Sequence, residues 1–598
     1  MKTLTKAWVA VAVMVFMLAG CASMPKKPDS MARGDYSYVK EYISRLARKE
    51  MKKHDVTGLS IALVDDQSVV WAEGFGFADQ ANNLPATPET IYRVGSISKL
   101  FTATMAMQLV EQGKLDIDRP LKAYLPEFSI KSRFPDADPI TPRTIMTHHS
   151  GLPSDLLKGM WTKQPEPFQN EVNLLRDEYV ASPPNYVFSY SNVGVSLLGH
   201  ALEKVAGRDF SAHMDISLLR PLGMTNSVFS QAPDRSPLGA KAYRKGKEAE
   251  ELPLRGIPAG GLNSNVLDLS RFMQMVFAGG RSGERLLIKP ETLAEMLRPQ
   301  NADVPLDLNF RIGLAWMLGG LGDMDIRNAG PVAHHSGATL YNRSQLIVLP
   351  EQKLGVVVLA NSATAGPAVN KLATELLKLA LEAKTGIKQP DKKEHIAEGS
   401  FSQKELKAYE GNYATMAGVI GITKKSDYLQ ADVMGTTLRL VPRIDGQLGL
   451  RYKLLSLIPI SLGDLDKVGI SRATLEGREI VKAGMNGQEL LLGERIKPVP
   501  IPESLQKRVG EYEIANAGDD AILFDKIRVR LDKGLLLVEY GMPLFTDKKM
   551  SIAISPLSDR ELMINGLGRG MGETIRIVNV DGEEMIQYSG YLLRKRKR

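Results

Sequence analysis

Apolar and polar positions recur along this chain with changing periods, and the changes divide it into regions. From Tyr36 to Lys53 the apolar residues fall at helical spacing. Leu59-Ser-Ile-Ala-Leu-Val64 and Val69-Val-Trp-Ala-Glu-Gly-Phe-Gly76 then read as two strands of a hairpin turning at Asp65-Asp66-Gln67. Leu100 to Val110 is apolar apart from Thr102, Thr104 and Gln108, which predicts a helix buried on most sides. Val193 to Val205 predicts another helix. Gln345-Leu-Ile-Val-Leu349 and Leu354-Gly-Val-Val-Val-Leu-Ala360 form a second strand pair. It is followed by a helix with Val369, Leu372, Ala373, Leu376, Leu377 and Ala380 on one stripe. Strands at both ends with helices between them predict an α+β domain over 36–386, one antiparallel sheet packed between helices and closed by its two ends.

After a polar linker, 387–400, the pattern shortens to β runs separated by turn signals such as Asp445-Gly446 and Asp581-Gly582. This all-β region, 401–598, has two related halves, about 401–495 and 503–598. They begin alike, with Leu406…Tyr409-Glu-Gly411-Asn-Tyr413 and Leu505…Val509-Gly510-Glu-Tyr512. Either two small β units or one closed barrel would satisfy the pattern. No catalytic constellation is legible in this half.

Composition narrows the function. With 598 residues the chain is too long for one core, and its 43% hydrophobic and 24% charged fractions are those of an ordinary globular protein. The formal charge of +8 includes five charges in the terminal run Arg594 to Arg598, so no basic surface for nucleic acid is implied. At the other end, Lys2 and Lys6 precede an apolar stretch, Ala7 to Leu18, too short to span a bilayer comfortably. It ends in Leu18-Ala19-Gly20-Cys21, which holds the only cysteine, so no disulfide can form within the chain.

Candidate chemistry lies in three segments. Ser96-Ile-Ser-Lys99 opens the apolar helix, and a lysine three positions after a serine lies on the same helical face. Burial lowers a lysine pKa, and a neutral amine can take the serine proton. The helix N-terminus would favour a developing oxyanion. Tyr190-Ser-Asn192 precedes the second helix; the tyrosine could share a proton with Lys99, its phenol lowered by the cation, and Asn192 could hold a substrate amide. His335-Ser336-Gly337-Ala338 precedes the second strand pair and could bind a substrate carboxylate and expose the Ala338 N–H. The pairs His148-His149 and His334-His335 lack a third ligand in the sequence, so neither metal nor other cofactor is expected.

In this order, Ser96-x-x-Lys99, Tyr190-x-Asn192 and His335-Ser336-Gly337 resemble the three motifs of serine β-lactamases and penicillin-binding proteins, in the class C-like branch that also holds D-amino-acid peptidases and esterases. Met146-Thr-His-His-Ser-Gly151-Leu-Pro153, Pro221-Leu-Gly-Met-Thr225 and Gly260-Gly-Leu-Asn-Ser-Asn-Val-Leu-Asp268 support the resemblance, which covers Tyr36 to Leu381. It implies catalytic roles for Ser96, Lys99 and Tyr190, and substrate or oxyanion contacts from Asn192, His335, Ser336, Gly337 and Ala338. The C-terminal region is loosely similar to lipocalin-like barrels appended to some serine peptidases. Lys384-Thr385-Gly386 matches the family's third motif literally but closes the last helix, with Gly386 as its C-cap. His335 therefore stands where class C enzymes carry lysine. Its charge would appear only as pH falls through about 6.5, so carboxylate recognition there is weakened or pH-dependent.

The N-terminus resembles a bacterial lipoprotein signal, with residues 1–20 as signal peptide, lipid on Cys21 and a tether over 21–35. Ala22 implies outer-membrane sorting, facing the periplasm. The expected partners are a small peptide, amide or ester substrate and a lipid membrane. Three readings remain open: an acyl-enzyme serine hydrolase for D-configured peptides or small amides and esters, a β-lactamase with an unusual third motif, or a catalytically weak penicillin-binding or cell-wall-binding scaffold. The intact Ser96, Lys99, Tyr190 set favours chemistry. The sequence assigns no oligomeric state.

Overall fold

The computed structural model describes residues 24–319, 326–390, 396–454, 458–460, 466–485 and 487–597. The signal segment and Cys21 lie outside the described residues. The first helix, α1 (Ser37–Lys53), turns Val39, Ile43, Leu46 and Ala47 inward, as its spacing predicts. Strands β1 (Gly58–Asp65) and β2 (Ser68–Asp79) form the expected hairpin, with Asp66 in the left-handed conformation at the turn.

Then come α2 (Ser98–Glu111), α3 (Asn192–Ala206) and α4 (Val266–Phe277). The domain ends in β3 (Ala333–Ala338), β4 (Arg343–Leu349), β5 (Leu354–Ala360) and α5 (Gly366–Thr385). The sheet is antiparallel, with β3, β4, β5, β1 and β2 adjacent in that order, so the two ends of the segment meet at the β5–β1 pair.

Both faces of this sheet are covered, which explains why β5 is an unbroken apolar run rather than an alternating one. Ile61, Leu63, Val356 and Val358 pack under α1 and α5. Ala62, Val64, Val357 and Leu359 pack against α2, α3 and α4. Gly386 caps α5 in the left-handed conformation, and Lys384 pairs with Asp65 at 2.6 Å, so the literal Lys-Thr-Gly segment is a helix end, as read from the sequence.

The all-β region resolves into two eight-stranded closures. In the first, strand pairing runs from Thr436–Pro442 round to Leu448–Leu454 and closes between those two strands. The second is a closed barrel from Gly510–Ile514 to Tyr591–Lys595. Each opens with a short helix, Gln403–Ala408 or Glu503–Gln506, burying Leu406 or Leu505. Each then ties the first strand's tyrosine to a carbonyl four residues back: Tyr413 Oη donates to Tyr409 O at 2.9 Å, and Tyr512 Oη to Arg508 O at 2.6 Å. The shared text at the start of each half thus encodes one repeated device, and the alternative of a single barrel is excluded.

The barrels pack on each other through Ala414, Ile496, Leu537 and Ala553. The second also sits on the α+β domain. Arg576 pairs with Glu178 at 2.5 Å, Lys158 with Asp520 at 3.0 Å, and Leu523 packs with Trp161, Leu254 and Leu340.

Candidate active site

Ser96 lies in a 3-10 turn, Gly95–Ile97, that runs directly into α2. The turn is pressed against β3. Gly95 has φ +55°, and a Cβ there would come within 2.7 Å of Ala338 N, so only glycine satisfies both demands. From the other side, a Cβ at Gly337 would meet Val94 O at 2.0 Å. Gly337 therefore lets the strand approach the serine turn. Ser336 and Ala338 line the cleft, with Ser96.

Lys99 is 1% exposed, as the apolar α2 predicts. Its Nζ lies 3.2 Å from Ser96 Oγ, 2.7 Å from Asn192 Oδ1 and 2.7 Å from Ala259 O. Burial, reinforced by the positive charge of Arg569, holds its pKa well below the ordinary lysine value, against an opposing pull from Asp155. A neutral amine has two N–H groups and one lone pair. With the N–H groups on Asn192 and Ala259, the lone pair is left for the Ser96 hydroxyl proton.

Ser191 caps α3 by accepting from Gly194 N at 2.9 Å, which sets Tyr190 and Asn192 at the cleft. Asn192 also donates to Asp155 Oδ1 at 2.6 Å, so the expected amide-holding residue is held between Lys99 and Asp155. Tyr190 packs on His148 with the rings tilted by 30° and their centroids 4.1 Å apart, and Lys99 Nζ is 4.8 Å from its ring centre. Burial raises its phenol pKa above the ordinary value, and hydrogen bonding with Ser96 offsets only part of this. The expected lowering by the lysine cation is overturned: Lys99 is itself pushed toward neutrality, so the phenol keeps its proton.

His335 is buried, and its pKa is pushed down to about 3 by desolvation and by Lys99. Its Nδ1 lies 2.6 Å from Ser336 O and must donate to that carbonyl. The neutral ring then presents Nε2, which has no partner among the described residues, as an acceptor. The charge expected near pH 6.5 does not arise there. His148 Nδ1 accepts from Ser191 N at 3.1 Å and His149 Nε2 meets Asp307 Oδ2 at 2.7 Å, so both shape the loop. Among the described residues no group of three His, Cys, Asp or Glu side chains converges.

Two further charged groups escaped the sequence reading. Asp155 follows the Met146–Pro153 segment. Arg569 reaches the site from the second barrel, donating from Nη2 to Asp155 Oδ2 at 2.9 Å, with Cζ 5.1 Å from the Tyr190 ring centre. The signal for it is Gly566-Leu-Gly-Arg-Gly-Met-Gly572, alternating glycines around one arginine in a β-patterned region. All four glycines have positive φ, and at Gly572 a Cβ would lie 2.2 Å from Ala181 O. The half that looked devoid of site residues thus carries one. The resulting cleft, about 580 Å³, has walls from all three units, including Met416 and Leu491 of the first barrel and Phe545 and Arg569 of the second.

A family profile described as Beta-lactamase matches residues 43–381. The chain is 30% identical over 250 residues to a beta-lactamase of Providencia stuartii, covering 40% of this chain and 60% of that one. It is 24% identical over 328 residues to Protein flp of Staphylococcus aureus, covering 54% and 63%. It thus spans less than two thirds of either relative. The structure of SurE with D-Leu matches 77% of this chain and 99% of its own at a TM-score of 0.53 and 23% identity, a likeness of fold. With the profile covering more than half of its residues and the same domain carrying the serine turn, the chain belongs to the beta-lactamase family of serine hydrolases.

Proposed function

We propose that this chain hydrolyses D-configured peptides or small amides and esters through an acyl-enzyme on Ser96. The observation that carries the reading is the environment of Lys99, a buried amine with two fixed acceptors and its third direction on Ser96 Oγ. Lys99 takes the hydroxyl proton as Ser96 Oγ bonds to the substrate carbonyl carbon. The Ser96 and Ala338 N–H groups receive the oxyanion. Tyr190, protonated and touching Ser96, passes its proton to the leaving group as the scissile bond breaks and takes one back from the Lys99 ammonium, so both groups return to their starting forms. Water then attacks the acyl carbon, and the proton it sheds returns Ser96 to its hydroxyl form.

A fluorophosphonate should label Ser96, and Ser96→Ala should abolish the label; labelling that survives this substitution would refute the assignment. Turnover of D-Ala-D-Ala peptides, D-aminoacyl amides, short esters and a cephalosporin would then rank the substrates. A second reading, β-lactamase activity, draws support from the Providencia relative, and the cephalosporin arm tests it. The same proposal places the protein on a bacterial envelope membrane through lipid on Cys21, the sole cysteine. Cys21→Ser should prevent lipid attachment and change the membrane fraction; an unchanged mature mass would refute the anchor.

A further inference from the structure

The cleft beside Ser96 contains an arginine where the third motif supplies no cation. His335 cannot hold a carboxylate, because its Nδ1 is committed to Ser336 O and its Nε2 is an acceptor. Among the described lining residues the one lysine or arginine is Arg569. Its side chain is 42% exposed, so a bound molecule can reach it. Its described hydrogen bonds engage Nη2 alone, on Asp155, leaving other donors of a planar fork that suits a carboxylate. Asp155 is shared with Asn192, and Asp307, the other acid at the cleft, already meets His149, Asn301 and Phe188 N.

The arginine is also held in place. Gly570 N donates to Ser154 Oγ at 2.7 Å, and Ser154 N donates to Glu573 Oε1 at 2.8 Å. Tyr588 donates to the other Glu573 oxygen at 2.8 Å. The loop around Arg569 is therefore bonded to Ser154, the residue that precedes Asp155. Tyr190 is hydrogen-bonded with Ser96 and its ring centre is 5.1 Å from the guanidinium carbon, so an anion on Arg569 sits a short spacer from the attacked carbonyl.

We propose that Arg569 is a specificity-determining residue that binds a carboxylate of the substrate, so the second barrel completes the active site. This rests on the acyl-enzyme reading and replaces the expectation, drawn from His335 alone, that carboxylate recognition is weakened or pH-dependent. The test uses full-length protein and two thioester pairs on an N-acyl-D-alanyl scaffold. In one pair the leaving group carries a carboxylate or its carboxamide; in the other the acyl side does. Wild type should favour the carboxylate member of at least one pair by about 10–100-fold in kcat/KM, mainly through KM and less at high salt. Arg569→Gln should bring that ratio close to one, and Arg569→Lys should restore part of it. The wild-type ratio and its salt dependence stand even if a variant fails to fold. Ser96 acylation without carboxylate preference, or a preference that survives Arg569→Gln, would overturn the inference alone. No acylation of Ser96 by any member would overturn the reading beneath it as well.

Discussion

At the scale of single residues, burial outweighs neighbouring charge at Lys99, Tyr190 and His335. The sequence made Ser96, Lys99 and Tyr190 legible, because an apolar helix predicts a buried lysine. It misjudged Tyr190 and His335, because burial acts on phenol and imidazole too, and neighbours cannot be read from spacing. Two pH dependences follow. Acylation needs neutral Lys99, so its rate should rise with pH through the lowered lysine value and level off well below 10.5. Lys99→Ala should reduce acylation by about 10²–10⁴-fold, measured by labelling rate; a loss under about tenfold would assign the base elsewhere. His335 is neutral in the folded chain down to about pH 3, whereas in the unfolded chain it protonates near 6.5. Between those values the unfolded state binds more protons, so stability is present above that window and is lost as pH falls through it. Urea midpoints taken from pH 7 to pH 4 should fall, and His335→Gln should flatten the slope.

At the scale of elements, the periodic ones were legible and the irregular ones were not. α1, the β1–β2 hairpin and α5 are long or strongly patterned, so their apolar faces announce them. The 3-10 turn at Ser96 and the loop around Arg569 are fixed instead by contacts with distant backbone, at Ala338 and Ala181. Only the glycines hint at them. The duplication was visible because the same leucine and tyrosine recur, but closure into two barrels depends on strand pairings that short β runs leave open. Gly572→Ala tests the loop. It combines a left-handed backbone with a 2.2 Å encounter at Ala181 O, so a loss of at least about 1–2 kcal/mol is expected by denaturant titration. Substrate selectivity should decline with it, since Arg569 is three residues away.

At the scale of the molecule, the site depends on the seating of the second barrel. Arg576→Ala would leave the Glu178 side chain, 10% exposed, without its partner and should loosen that seating. Limited proteolysis between the two barrels should accelerate, while the α+β domain stays resistant; an unchanged cleavage rate would show that Leu523 and its neighbours suffice. The α+β and all-β fold classes were legible from the changes of period, whereas this docking was not, because single ion pairs such as Arg576–Glu178 leave no pattern in the chain. The β5–β1 pairing carries a last consequence, for the timing of folding. Leu59 pairs with Ala360, a separation of 360 − 59 = 301 residues, and joining such distant segments costs about 5 kcal/mol of chain entropy before any contact repays it. A growing chain therefore leaves the β5-facing edge of β1 unpaired for most of the domain's synthesis, a state prone to association with other chains. The turn that bears Ser96 rests on β3, which needs β4 and β5 beside it. Nucleophilic power should thus emerge late, after the sheet has shut, and a chain stalled before residue 360 would be sticky but inert.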